Sequence, residues 1–154
     1  MKIDPKNLAK VIAESGLVSK KDLELAVKEA IDNPSLDLGE SLVASGKISD
    51  EDLNYARSHI IGIPFVDLTG EKVDFDILSL IPEPIARTHN IIPYKKSDKG
   101  LEVAMLEPDD LRAIEFINKK IGIKILPRLT NKDSIRKVLL QYQNQSLVAT
   151  TYLL

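Results

Sequence analysis

Several residue types that would point to particular sites are missing from this sequence of 154 residues. It contains no cysteine, which excludes a disulfide framework and thiolate metal sites. It has no tryptophan and only 5% aromatic residues, so isoleucine and leucine must fill the core. The first residues, MKIDPKNLAK, lack the apolar segment of a secretory signal, and apolar runs elsewhere are far too short to span a membrane. We therefore expect a cytoplasmic chain without direct membrane insertion.

An excess of one sign of charge is also absent. The net charge is −2, with acidic and basic residues interspersed along the chain. Nucleic-acid-binding domains carry a clustered basic surface, and none is evident here, so we expect no nucleic-acid partner. An acidic membrane surface is an equally poor match. The content of 44% hydrophobic and 29% charged residues is typical of a globular protein with one ordinary domain or two very small ones.

The sequence does contain an internal repeat. Residues 7–30 align without a gap to residues 37–60, and conservative pairs include Ile12/Leu42 and Val18/Ile48. Identical residues occur at Leu8/Leu38, Ser15/Ser45, Gly16/Gly46, Ser19/Ser49, Asp22/Asp52, Leu23/Leu53 and Ala26/Ala56. The period of the repeat is in the range of helical hairpins. Any two short helical hairpins would share caps and leucine spacing, which is the alternative explanation of the similarity. A true repeat is favoured because the register holds without a gap through the whole unit.

Each copy has the signals of a helix, a stop and a second helix. Gly16 and Gly46 are suited to the left-handed conformation that ends a helix. Ser19 and Ser49 are suited to capping the next helix, and each has an aspartate three residues later. The sequence thus predicts a helical subdomain of two tandem hairpins over residues 1–60.

The composition changes after Ile60, where strand-forming residues and turn signals alternate. We predict an α+β subdomain over residues 61–143, with a small mostly antiparallel sheet and helices packed on it. The predicted strands are Phe65–Leu68, a hairpin formed by IIPYKK and LEVAML, and IKILPRL; the predicted helices are Phe75–Leu80, Glu83–Thr88, Pro108–Lys120 and Lys132–Gln143. Residues 144–154 show no pattern and are predicted to be a linker or tail, which suggests a truncated longer protein.

These segments together resemble a known family. The doubled hairpin unit, then IPFVDL, then the P-E-x-x-A-R-x-H stretch from Pro82 to His89, and then VAMLEPDD from Val103 to Asp110 carry the resemblance. They are similar to the N-terminal, MshEN-like domain of the hexameric ATPases of type II secretion and type IV pilus assembly, the GspE/PilB family. The resemblance covers about residues 5–143.

The resemblance implies a regulatory and docking role. The domain would couple the motor to the cytoplasmic domain of an inner-membrane platform protein and to the C-terminal ATPase core of its own chain. It would then lie in the cytoplasm, peripheral to the inner membrane through these partners. Transport of protein by a secretion or pilus machine is the implied context. An orphan copy of the domain with another role is an alternative that the sequence leaves open.

One branch of the family binds cyclic di-GMP through the doubled unit, which makes a sensor domain the alternative function. Binders carry an Arg-Leu-Gly opening and a terminal glutamine, and an arginine fork suits a guanine edge. Here the arginine positions are Asn7 and Asp37, and the glutamine positions are Ala30 and Ile60. The candidate binding residues are therefore Asn7, Leu8, Ile12, Leu23, Asp37, Leu38, Gly39, Leu42 and Leu53. The alternative is that the leucine positions are simply the core of the hairpins. We otherwise expect no cofactor in this chain.

Little in the sequence points to catalysis or to a metal site. No G-x-x-x-x-G-K-[ST] motif is present, and His59 and His89 lack the spacing of metal ligands. The acidic groups 50–52 and 107–110 occur at predicted helix starts, where they complement the helix dipole. Arg87 is the candidate for a partner contact, although an ion pair within the domain, with Asp67 or Asp74, is the favoured interpretation. We therefore expect no catalytic residue and no enzyme activity in this chain.

Overall fold

The chain forms two compact units, Lys2–Gly62 and Ile63–Leu154. A computed structural model describes the backbone of residues 3–153 and the side chains of residues 3–144. The first unit is helical and the second combines helices with a sheet, so the α+β fold class is confirmed. The predicted division into a helical subdomain over residues 1–60, an α+β subdomain over residues 61–143 and a linker or tail over residues 144–154 stays a prediction.

The helical unit consists of two consecutive helical hairpins. Its helices are α1 (Pro5–Ser15), α2 (Lys20–Asp32), α3 (Leu38–Ala44) and α4 (Asp50–Ile61). Gly16 and Gly46 adopt the left-handed conformation, with φ of 72° and 75°. Ser19 Oγ accepts a hydrogen bond from the Asp22 amide at 3.2 Å, and Ser49 Oγ accepts one from the Asp52 amide at 3.0 Å. The predicted stops and caps are confirmed in both copies.

The equivalent apolar residues of the two copies lie in one core. The buried members of this core are Leu8, Ile12, Val18, Leu23, Ala30, Leu38, Leu42, Ile48, Leu53 and Ala56. Leu8 and Leu38 each expose 3% of their surface, and they occupy equivalent positions of the sequence repeat. The two hairpins are therefore packed against each other. This packing is needed because neither hairpin can bury its apolar face on its own.

The second unit is built around a three-stranded sheet. Its elements are α5 (Phe75–Leu78), α6 (Glu83–His89), β1 (Ile91–Ser97), β2 (Gly100–Met105), α7 (Leu111–Ile121), β3 (Ile125–Leu129) and α8 (Lys132–Leu153). The strand order is β1-β2-β3. Pro93 lies on the edge strand, as its missing amide donor predicts, and the register shifts beside it.

The sheet is mixed, and this differs from the predicted mostly antiparallel arrangement. Strands β1 and β2 form the predicted antiparallel hairpin, whereas β2 and β3 are parallel. The intervening helix α7 supplies the long crossover that a parallel pair needs. The predicted strand Phe65–Leu68 forms only a single parallel bridge, between Phe65 and Leu129. The hydrogen bonds around it join Val66 N to Leu129 O and Leu129 N to Pro64 O, both at 2.9 Å.

Side chains of helix α8 form hydrogen bonds to the backbone of the segment before α5 and of the link between α5 and α6. Ser134 Oγ accepts a hydrogen bond from the Leu68 amide at 2.8 Å, and Tyr142 Oη donates one to the Ile81 carbonyl at 2.8 Å. Gln141 accepts from the Val73 amide and donates to the Glu71 carbonyl, both at 2.8 Å. The helix was predicted to end at Gln143, but its backbone continues to Leu153 because no glycine or proline interrupts it.

Truncating Leu8 or Leu38 tests the equivalence of the two hairpins. Because both side chains are buried in the same core, Leu8→Ala and Leu38→Ala should each lower the free energy of unfolding by about 2–5 kcal/mol. Urea unfolding followed by circular dichroism measures the change. Leu17→Ala, at a leucine that is 54% exposed, is the control and should cost much less. A large loss for only one of the two buried leucines would contradict the shared core.

Asp67 should make stability depend on pH. Hydrogen bonds from the Thr69 amide and hydroxyl, at 3.0 and 2.7 Å, hold the pKa of Asp67 below its ordinary value. The carboxylate therefore stabilises the fold above its unfolded pKa, and this contribution is lost as the pH falls through the folded pKa. Asp67→Asn should be less stable at neutral pH, with a deficit that shrinks below about pH 4. Urea titrations across pH check this, and a constant deficit would contradict it.

Candidate binding surfaces

The leucine positions that the resemblance assigns to a dinucleotide are interior positions in this structure. Leu8, Ile12, Leu38, Leu42 and Leu53 expose between 1% and 3% of their surfaces. The same side chains pack the two hairpins together, and exposing them to a ligand would open the core. Leu23 is 4% exposed and also lines a groove, which makes it the exception.

Gly39 serves a close contact between helices. A Cβ atom at this position would lie 2.5 Å from Leu53 Cδ1 and 3.3 Å from Asp37 Oδ1. Any side chain at residue 39 would therefore require the end of the buried Leu53 side chain to shift. The space beside this glycine is occupied by the Leu53 side chain.

The two polar candidates, Asn7 and Asp37, differ in their surroundings. Asn7 is exposed in the first turn of α1. Asp37 caps α3, where its Oδ1 accepts from the Glu40 amide at 2.9 Å and from Arg57 Nη2 at 3.3 Å. The arginine of that pair belongs to α4, and its side chain is 20% exposed. The position predicted for a guanine-reading residue is thus an acid that already neutralises the neighbouring guanidinium.

A groove of about 470 Å³ runs along α1 and α2. Its apolar lining includes Ala9 and Ala13 from α1 and Val27 and Ile31 from α2, with Leu23 beneath. Its polar lining consists of Lys6, Lys10, Lys20, Lys28 and Glu24. We call this surface the α1–α2 groove. It combines an apolar floor with an excess of positive charge, on a chain whose net charge is negative.

The α1–α2 groove was not predicted from the sequence, although a signal for it is present. The leucines, which dominate the apolar pattern, mark only the inward face of each helix. A second stripe on α1 places Lys6, Ala9, Lys10 and Ala13 at i, i+3, i+4 and i+7. Small and basic residues on the outward face do not by themselves predict a groove, because that depends on how α2 packs beside α1.

Arg87 forms an ion pair within its own helix. Its Nη2 atom lies 2.9 Å from Glu83 Oε1, one helical turn away in α6, so an ion pair inside the domain is confirmed. The partner is neither Asp67 nor Asp74, because Glu83 is closest along the helix face. The Arg87 side chain remains 52% exposed and lines a groove of about 430 Å³ with Lys132, Arg136 and Leu140.

The other ionisable candidates have structural positions. His59 lies in the last turn of α4, where the helix dipole favours a basic residue. The centroid of the His89 ring is 5.6 Å from that of the Phe116 ring. Asp110 caps α7 by accepting a hydrogen bond from the Ala113 amide.

Among the residues with described side chains, no cluster of three or more histidine, aspartate or glutamate residues could hold a metal ion. The described helices include none that is long and apolar enough to cross a membrane.

A cluster of charged side chains joins residues from all three strands of the sheet. Glu102 forms ion pairs with Arg128 at 3.3 Å and with Lys95 at 3.8 Å. Burial, together with the negative charge of Glu102, raises the pKa of Tyr94 to about 12. The Tyr94 hydroxyl therefore keeps its proton to a higher pH than an ordinary tyrosine. The ion pairs of Glu102 connect β2 to both β1 and β3.

Comparison with known proteins identifies a family for more than half of the chain. The model of the MshEN domain matches residues 61–149. The chain is 27% identical over 135 residues to the type IV pilus assembly ATPase PilB of Myxococcus xanthus (strain DK1622). That match covers 88% of this chain and 24% of PilB, so the chain spans about a quarter of the length of that relative.

Solved structures show the same fold. A structure of MshE with cdg, the dinucleotide cyclic di-GMP, has a TM-score of 0.71 and 26% identity, covering 88% of this chain and 97% of that one. The N-terminal domain of XpsE has a TM-score of 0.55 and 17% identity, covering 90% of this chain and 95% of that domain. The latter similarity concerns the fold alone. The family match extends over more than half of the sequence, and the chain belongs to the MshEN domain family.

Proposed function

We propose that this chain is the regulatory and docking domain of a motor ATPase of type IV pilus assembly or type II secretion. The observation that carries the proposal is membership of the MshEN family, combined with the match of 88% of the chain to about a quarter of PilB. ATP hydrolysis would belong to a core outside this sequence, which contains no G-x-x-x-x-G-K-[ST] motif. The domain would couple that core to the cytoplasmic domain of an inner-membrane platform protein.

The surfaces of both units support a role in protein contacts. The leucines of the helical unit are occupied in packing the hairpins, so recognition has to use outward residues. Each unit presents a groove in which apolar side chains lie beside positive charges. Interfaces commonly combine an apolar centre with charges that steer and orient the partner. In this arrangement the domain would act by binding other proteins, at the cytoplasmic face of the inner membrane.

A cyclic di-GMP sensor is the second candidate function. The similarity to MshE with cdg, at 26% identity over 88% of the chain, supports it. The α1–α2 groove adds lysines that would offset phosphate charge and apolar atoms that would pack on a purine. The arguments against it are the buried leucines, the pairing of Asp37 with Arg57 and the absence of arginine at positions 7 and 37.

The docking proposal predicts that the 154-residue chain binds the cytoplasmic domain of its platform protein. A pull-down with the purified platform domain measures this directly. Arg87→Ala should weaken the complex severalfold while lowering the free energy of unfolding by less than about 0.5 kcal/mol, because the lost i,i+4 ion pair is exposed. Arg112→Ala, at another exposed arginine of the same unit, is the matched control and should leave binding unchanged.

Failure of the chain to bind the platform domain, while the complete motor assembles on the platform, would contradict the docking proposal. Equal weakening by Arg87→Ala and Arg112→Ala would remove Arg87 as a specific contact without affecting the proposal itself.

Isothermal titration with cyclic di-GMP separates the two candidate functions. The docking proposal predicts no binding tighter than about 1 mM, because the arginine positions hold Asn7 and Asp37. If heat is released, Asn7→Ala and Asp37→Ala should reduce the affinity, with Lys99→Ala, in the turn between β1 and β2, as the control. Micromolar affinity that depends on Asn7 and Asp37 would favour the sensor.

A further inference from the structure

We infer that the α1–α2 groove is the docking site for an acidic amphipathic helix of a partner protein. The inference rests on the proposed docking function and adds to it a surface and the chemistry of the bound segment. It uses outward residues of the first hairpin, which the packing of the core leaves available.

The floor of the groove suits a helix. Ala9 and Ala13 are small, so a backbone can approach α1 closely along this line. Val27 and Ile31 provide larger apolar atoms on the α2 side, and Ile31 is 53% exposed. The 13 residues of α2 extend for about 20 Å, which is room for three to four turns of a bound helix. Amphipathic helices bind in such grooves by placing residues at i, i+3, i+4 and i+7 on the apolar floor.

The rim of the groove selects for acidic residues. Lys6, Lys10, Lys20 and Lys28 contribute four positive charges, against one negative charge from Glu24. Within the described part of the chain, no carboxylate forms an ion pair with any of these four ammonium groups. A helix with glutamates or aspartates on both sides of an apolar stripe would complement this pattern and would be steered toward it.

The second hairpin supports this assignment by contrast. The repeat keeps the inward leucines but changes the outward charges. The residues equivalent to Lys10, Lys20 and Lys28 are Glu40, Asp50 and Ser58. The position of Val27 is taken by Arg57, which pairs with Asp37. A basic rim beside an apolar floor is therefore a property of the first hairpin and does not follow from the hairpin fold itself.

Two other occupants fit the groove less well. A second copy of the chain, joined through the same groove on both molecules, would bring lysines against lysines. A bilayer would require apolar atoms that project beyond the charged ones, whereas Ala9 and Ala13 are much shorter than the neighbouring lysines. An acidic helix satisfies both the shape and the charge.

The test uses a designed, fluorescently labelled helical peptide with one leucine stripe flanked by glutamates. We expect it to bind the 154-residue chain in anisotropy titrations and to compete with the platform domain. Lys10→Glu combined with Lys28→Glu should weaken both interactions about tenfold or more, since two attractive contacts become repulsive. The matched control is Lys96→Glu with Lys99→Glu in the other unit, which should change binding less than about twofold.

A second pair of variants tests the apolar floor. Ile31 and Leu25 lie on the same helix and are 53% and 54% exposed, but only Ile31 lines the groove. Ile31→Ala should weaken peptide binding about fivefold through lost apolar burial, and Leu25→Ala should leave it unchanged. Circular dichroism of every variant establishes that the helices are retained.

Several results would overturn the inference. The inference is wrong if the acidic peptide does not bind, or if both charge-reversal pairs weaken its binding equally. It is also wrong if a peptide with lysines in place of the glutamates binds equally well. If anionic phosphatidylglycerol vesicles capture the chain and this capture depends on Lys10 and Lys28, the groove binds a bilayer. If light scattering shows a dimer and the variants dissociate it, the groove binds a second copy.

The same experiment separates the groove from the docking proposal. If the variant at Lys10 and Lys28 binds the platform domain undiminished, the groove is not the docking site, but the docking proposal stands. Absence of platform binding by the native chain removes the docking proposal.

Discussion

Burial of equivalent leucines from two hairpins in one core is the interaction on which the helical unit depends. Leu8 and Leu38 are both 3% exposed, and Leu23 and Leu53 are 4% and 1% exposed. A short hairpin on its own leaves one apolar face in water, and pairing removes both faces from it. Exposing the same side chains to a ligand would lose the stabilisation that comes from their burial. This constraint directs recognition to the outward faces of the helices.

The local features of the fold could be predicted because each depends on a few neighbouring residues. Left-handed glycines at 16 and 46 and serine caps at 19 and 49 are signals within single turns, and the structure confirms them. The direction of β3 could not be predicted, since it depends on the crossover through α7. The partner of Asp37 was also missed, because Arg57 is 20 residues away and only the packing of α3 on α4 brings the two together.

The candidate site shows the same limit. The sequence correctly singled out Arg87 as a member of an ion pair within its domain, but the partner Glu83 was overlooked. The resemblance assigned the repeated leucines to a dinucleotide site. In the structure these leucines are buried because they pack the two hairpins together. The α1–α2 groove was not predicted because residues of two helices form it. The residue pattern of one helix does not indicate how the other helix packs beside it.

Divergence of the two copies then connects structure to function. The repeat retains the residues that pack inward and varies the charges that face outward, as Lys10 and Glu40 illustrate. A duplicated hairpin can thus keep its stability while one copy acquires a surface of its own. In the proposed docking function, such a surface binds a partner without any change to the core that keeps the hairpins together.

Amide hydrogen exchange of the chain, measured alone, with the platform domain and with cyclic di-GMP, tests the central claim most directly. The account predicts that the platform domain slows exchange along the outward faces of α1 and α2, whereas cyclic di-GMP leaves exchange in all four helices unchanged. Slower exchange at the starts of α1 and α3 on adding cyclic di-GMP, with no effect of the platform domain, would contradict it.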